Sequence, residues 1–250
     1  MEKIVLQNKP LVEAIFELKW DLPQTIDPHY KIFIGRIYDQ VEKDYPYYEE
    51  LPTVRIPEEM IPYIVQYRFR KAEKQWPLIQ IGPKIMTFND TENYLWNDFE
   101  RRVHNLIEVF YKTHPKINEL TIKSVHLRYI DAIDFDYKDN IFDFLKEKMK
   151  ISLNIEKSLF DETNVKQLPN EFEFKVSFQT EKPKGLLRLR FVRGKRLEKD
   201  ALIWETELLA QEEDAPKNAK ELKNWLKKAH EVAHNWFFKT IEGELYRRFK

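Results

Sequence analysis

The residues His230-Glu231-Val232-Ala233-His234 spell HExxH. In this pattern a helix presents two imidazoles one turn apart to a zinc ion, and the glutamate between them serves as general base. The chemistry needs a third protein ligand. In zinc peptidases it follows shortly as a histidine at a glycine turn or comes from a helix well downstream. Here no histidine follows His234, and Glu242 and Glu244 lie about two to three turns along the same predicted helix. Of the other histidines, His29, His104, His114 and His126, only His126 sits where a third ligand is expected, on the polar face of a central strand. On a helical wheel Leu222, Trp225, Leu226, Ala229, Val232, Ala233, Trp236 and Phe237 share a buried arc, with His230 at its edge, His234 further round and Glu231 nearly opposite. A zinc-dependent hydrolase using His230, Glu231 and His234 is therefore one alternative. A helix flank whose histidines meet loops or solvent is the plainer expectation.

A second constellation lies on the polar faces of the predicted strands. In the second half of the chain, Glu171, Glu173 and Lys175 are followed by Arg188 and Arg190, then by Glu205 and Glu207. If these stretches pair as a meander, an arginine pair lies between two acidic pairs and cross-strand ion pairs form. In the first half Gln66, Arg68 and Arg70 face Gln80 and Lys84, which leaves Glu13 and Glu17 as the acidic candidates. This face, with Arg68, Arg70, Arg128, Lys175, Arg188, Arg190 and Glu13, is the candidate binding surface for a partner or a phosphate. Aromatic residues for stacking on bases fall on the opposite face, so nucleic acid is an alternative partner and a protein the expected one. Asp131, Asp134 and Asp136 crowd one strand end, but Asp131 does not share the face of the other two, and they read as strand-end acids. Ser124 and Ser177 lack a nucleophile elbow.

The elements that must position these residues follow from alternation. Val125, Leu127, Tyr129, Ile133 and Phe135 fall on one face of a central strand, and His126, Arg128 and Asp134 on the other. A similar strand, Leu11 to Trp20, opens the chain. Each is followed by an N-cap candidate, Asp27 or Asn140, and an amphipathic helix. A polar loop then leads into three strands in each half, and a long helix closes each, Tyr94 to about Lys112 and Ala219 to about Arg248. The pattern is β-α-β-β-β-α twice. It predicts an α+β fold, mostly antiparallel sheet with helices packed on one face. One compact unit is expected over 1–250, with similar halves at 8–115 and 118–250.

Composition excludes several classes. With 17 Phe, 12 Tyr and 6 Trp the chain can fill a sizeable core, and with 42 basic and 42 acidic residues it is not driven wholesale onto phosphate or anionic membrane. The absence of cysteine removes disulfides, thiolate metal sites and thiol catalysis. Neither GxGxxG nor a P-loop occurs, so no cofactor is expected. Met1 to Leu6 lack a signal-peptide core, and no apolar run reaches the ~20 residues of a membrane helix, so a cytoplasmic setting without membrane contact is expected.

The stretches Pro10 to Leu18, Ile81-Gly82-Pro83, Tyr94 to Phe99, Leu127-Arg128-Tyr129-Ile130 and His230-Glu231 resemble a sporadically distributed, uncharacterised family of bacterial and archaeal proteins of about this length. The resemblance spans nearly the whole chain. It brings no activity or catalytic residue, and its patchy distribution resembles that of phage-defence or toxin-antitoxin genes. The function expected is thus that of a non-enzymatic binding or interaction protein, with a role in such a system implied by the resemblance alone.

Overall fold

The computed structural model describes residues 6–91 and 93–250; Met1 to Val5, most of the stretch read above for a leader, and Glu92 lie outside the described residues. The chain runs β1 (Leu11–Asp21), α1 (Tyr30–Val41), β2 (Tyr47–Glu50), β3 (Tyr67–Arg70), β4 (Leu78–Gly82), β5 (Ile85–Asp90) and α2 (Trp96–Thr113). It continues with β6 (Thr121–Asp134), α3 (Ile141–Met149), β7 (Glu173–Glu181), β8 (Lys184–Arg196), β9 (Lys199–Gln211), α4 (Ala219–Ile241) and α5 (Glu244–Phe249). The strands make one nine-stranded sheet in the order β2-β3-β4-β5-β1-β6-β9-β8-β7, with every neighbouring pair antiparallel. The fold is α+β, as the alternation predicts. Reading outward from the central β1/β6 pair, the order is β5, β4, β3 on one side and β9, β8, β7 on the other, with β2 added beyond β3.

Period-two alternation decides which face the helices cover. On β1, Ala14, Phe16, Leu18 and Trp20 are fully buried, and the register sets Phe16 between Phe88 of β5 and Leu127 of β6. Apolar removal from water is worth about 2–3 kcal/mol per large side chain, so this row fixes the face. Trp20 meets Phe33 of α1 at 6.0 Å and Phe110 of α2 at 4.9 Å between ring centroids. Phe88 meets Phe99 of α2 at 5.3 Å, and Phe135 meets Phe144 of α3 at 5.1 Å. The four longer helices lie on this side. The other side carries the polar residues of the strands.

Local chemistry departs from the sequence reading in three places. Tyr47 to Glu50, read as loop, pairs with β3 as an edge strand. Helix α1 starts at Tyr30 with His29 as its cap, because the Asp27 carboxylate accepts from the His29 amide at 2.9 Å in a turn before the helix rather than capping it. Asn140 does cap α3, accepting from the amide of Phe142 at 3.0 Å. The closing helix is also split: Gly243 takes φ 116°, outside the helical region, and separates α4 from α5. No helix among the described residues is long and apolar enough to cross a membrane.

Candidate ligand pocket

Three parts of the chain converge over the middle of the sheet. The alternation that buries Leu127 also turns Tyr129 and Asp131 of β6 toward the helices, and the β6/β9 register sets Thr206 opposite Tyr129. Tyr94 to Asp98 bring in the first turn of α2, and His230, Ala233, His234, Phe237 and Phe238 the face of α4. Residues Leu6 to Leu11 close the side. They are held there by the Ala132 amide donating to the Pro10 carbonyl at 2.9 Å, the Asn8 amide to Phe249 at 2.9 Å and the Lys9 ammonium to the Tyr94 carbonyl at 2.7 Å. The result is a mainly apolar pocket of about 450 Å³. That is within the size range of small-molecule sites.

Four of the five stretches that carry the family resemblance meet at this pocket: Pro10-Leu11, Tyr94 to Asp98, Tyr129 and His230 all line it.

Its polar groups are few and mostly occupied. The hydroxyls of Tyr94 and Tyr129 are 2.9 Å apart, and the Tyr129 hydroxyl lies 2.9 Å from His230 Nδ1. His230 lies flat on Trp96, and burial, reinforced by neighbouring His234, pushes its pKa down to about 3. The imidazole is therefore uncharged at neutral pH. Burial raises the pKa of both tyrosines. Asp98, which lies at the pocket rim, is held by Arg101 at 2.5 Å and Arg102 at 2.6 Å.

Asp131 differs from all of these. Its side chain belongs to a residue only 3% exposed, and among the described residues it has neither a hydrogen bond nor an ion pair. Burial alone pushes its carboxyl up to about 8. A buried carboxyl without a partner is costly, and it opens onto the pocket.

The HExxH residues separate across α4. His230 and His234 both reach the pocket, with ring centroids 5.6 Å apart, and His234 packs on Phe238 at 4.6 Å. Glu231 is exposed on the far side of the helix, away from any group those histidines would hold. Among the described residues no cluster of three histidine, aspartate or glutamate side chains is placed to hold a metal ion. His126, the one histidine considered as a third ligand, lies away from both His230 and His234. Alternation puts it on the opposite face of the sheet, where Nδ1 lies 2.7 Å from Glu207 and Nε2 3.1 Å from Ser124 Oγ.

The candidate arginines do share the helix-free face, since the registers align Arg68 with Gln80, Lys175 with Arg190, and Arg188 and Arg128 with Glu207. Their charge is largely spent within the sheet. Arg190 bridges Glu173 at 2.7 Å and Glu205 at 2.8 Å, Arg188 reaches Glu207 at 3.5 Å and Arg128 reaches Glu205 at 3.9 Å. Arg68 donates to Gln80 at 2.7 Å. Arg70 is buried rather than displayed, donating to Glu49 and to the Gln75 carbonyl at 3.3 Å. Glu13 accepts from Asn89 at 2.7 Å.

No family model matches the sequence, and no curated protein matches it. Among solved structures, that of Methanococcus jannaschii TBP aligns over 91% of this chain and 99% of its own, at 10% identity and a TM-score of 0.25. A likeness of that size bears on neither fold nor function.

Sequence reasoning passed over Asp131, Tyr129 and Thr206 as site residues. The signal was present in the period-two count, which places Asp131 among Leu127, Tyr129 and Ile133 on the buried face. A charged residue type in that row is the anomaly to look for.

Proposed function

We propose that this chain is a binding protein that takes a small, largely apolar molecule into the pocket between the sheet, α2 and α4. One observation carries the reading: Asp131 is buried, lacks a partner among the described residues and lines a pocket of about 450 Å³ walled by aromatic rings. Apolar enclosure with a single convergent polar group is the usual composition of a ligand site. The Tyr129 hydroxyl is paired with His230 Nδ1, but burial holds the phenol protonated, and the reading stays within the non-enzymatic binding class. A partner-binding role in a defence or toxin-neutralising system, the expectation attached to the family resemblance, is a separate proposal.

Native mass spectrometry of the chain purified gently from its source, without chelator, tests both. A copurifying small molecule that is lost when Ala233, on the pocket wall, is replaced by phenylalanine supports the pocket. A second polypeptide retained by that same variant supports the partner role. Absence of any bound molecule, together with exclusion of the neutral apolar dye N-phenyl-1-naphthylamine from the folded chain, overturns the pocket reading.

A further inference from the structure

The polar inventory of the pocket points to the class of ligand. The inference rests on the pocket reading above. The Lys9 ammonium gives one N–H to the Tyr94 carbonyl and keeps its charge, but burial alone acts on Asp131, so Lys9 is not its partner; Asp98 is held by two arginines. His230 is engaged through Nδ1 and uncharged. The Tyr94 and Tyr129 hydroxyls bond each other. On the sheet side the groups left for a ligand are the Asp131 carboxyl and the Thr206 hydroxyl on the next strand, itself 3% exposed; the helices add the neutral His230 Nε2, the His234 imidazole and the Asn97 amide. Both sheet groups accept hydrogen bonds, and one is an acid. The rings of Tyr94, Trp96, Tyr129, Phe237 and Phe238 surround them. Aromatic faces attract a cation and repel an anion, most strongly where water is excluded.

We propose that the pocket binds a protonated organic amine, its ammonium on Asp131 and its apolar body among the aromatic rings. An anionic group placed at Asp131 meets an acid on which no cation of the pocket acts. A neutral one forms a single hydrogen bond with the protonated carboxyl and leaves the ion pair unmade. An ammonium supplies the missing partner, and in a medium of low dielectric the pair outweighs a neutral hydrogen bond.

Binding is also coupled to protons. Burial keeps Asp131 protonated near neutrality, so an ammonium arriving there displaces a proton to solvent. Of the other titratable groups around the pocket, Asp98 is held by its arginines, burial raises both tyrosines, and His230 is already deprotonated; His234, on the α4 side, is the group whose replacement by Gln separates its proton from that of Asp131.

The test is calorimetric titration of the full chain at pH 7 with three molecules of one shape and different charge: 2-phenylethylamine, 2-phenylethanol and phenylacetate. The amine is expected to bind at least about tenfold more tightly than either, with release of up to one proton read from the buffer dependence of the heat. Asp131→Asn should erase both the preference and the proton release, and Thr206→Val should weaken the amine alone. Equal or tighter binding of the alcohol or the acid overturns the cation inference, as does amine binding unchanged in Asp131→Asn. If the naphthalene dye enters and Ala233→Phe excludes it, but the amine fails to displace it, the cation inference alone falls. If the dye is excluded as well and none of the three binds, the pocket reading falls with it.

Discussion

The imidazole of His230 lies parallel to the indole of Trp96, with ring centroids 3.6 Å apart and planes 7° from coplanar orientation. The first turn of α2 and the middle of α4 are thereby joined face to face, and the same imidazole reaches down to the Tyr129 hydroxyl on the sheet. A residue that the zinc motif would assign to a metal is instead a clasp between three elements.

His230→Ala is accordingly expected to destabilise the chain by about 1–3 kcal/mol, through the lost stack and the hydroxyl left short of a partner. Glu231→Ala, on the exposed side of the helix, should stay within about 0.5 kcal/mol of wild type. Urea unfolding of the two variants gives the comparison directly. Equal losses would mean that Glu231 has a role the fold does not account for.

Zinc should not be held stoichiometrically. With Glu231 turned to the exposed side of α4 and no third ligand placed among the described residues, dialysis against buffer is expected to remove added zinc, and a chelator should leave the melting temperature unchanged. Metal analysis after dialysis settles the point, one retained equivalent being the contrary result.

The two perturbed pocket groups pull stability in opposite directions with pH. Asp131 has its pKa raised from 3.8 to about 8, so the folded chain binds the extra proton and stability falls as pH rises from about 4 to about 8. His230 has its pKa lowered from 6.5 to about 3, so the unfolded chain binds the extra proton and stability falls as pH drops below about 6.5. The slopes of these two cancel between about 4 and 6.5; burial also lowers His114, to about 4, and His104, adding to the acid loss, and raises Asp90 and Glu58, opposing it. Above that window Asp131 acts without His230. Wild type should lose roughly 2 kcal/mol between pH 6.5 and 8, and Asp131→Asn should not. Denaturant midpoints across this range distinguish the two.

Gly82 ends β4 where a Cβ would stand 2.1 Å from the Ile64 carbonyl oxygen. Backbone must shift to admit any side chain there. Gly82→Ala is expected to cost about 2 kcal/mol or more, whereas Gly35→Ala, in α1 with open space around it, should gain several tenths. Thermal melts of both variants provide the check.

Strand periodicity carried most of the fold. Phe16, Leu18, Leu127 and Ile133 name the covered face by spacing alone, and the longer strands follow. Tyr47 to Glu50 escaped because four residues with a tyrosine on each face show no amphipathic contrast. The start of α1 escaped because Asp27 has two uses for one carboxylate, and the turn won. The pocket escaped for a different reason. Its walls come from Leu11, Trp96, Tyr129, Thr206 and His230, which no local window contains together, and attention to charged strand faces led to the side of the sheet that has no helices. Asp131 was visible in the count but was read by residue type as a strand-end acid.

The tie of Asn8 to Phe249, beside a pocket that also needs Tyr94 and Tyr129, sets when a ligand of the proposed kind could first be held. No half of the sheet holds the cavity by itself, so a growing or partly opened chain has nothing to bind. Occupancy then reports on tertiary assembly: a ligand that sees only the finished arrangement draws the population toward it by mass action. Such a molecule would act on the protein's lifetime in the cell as well as on its task.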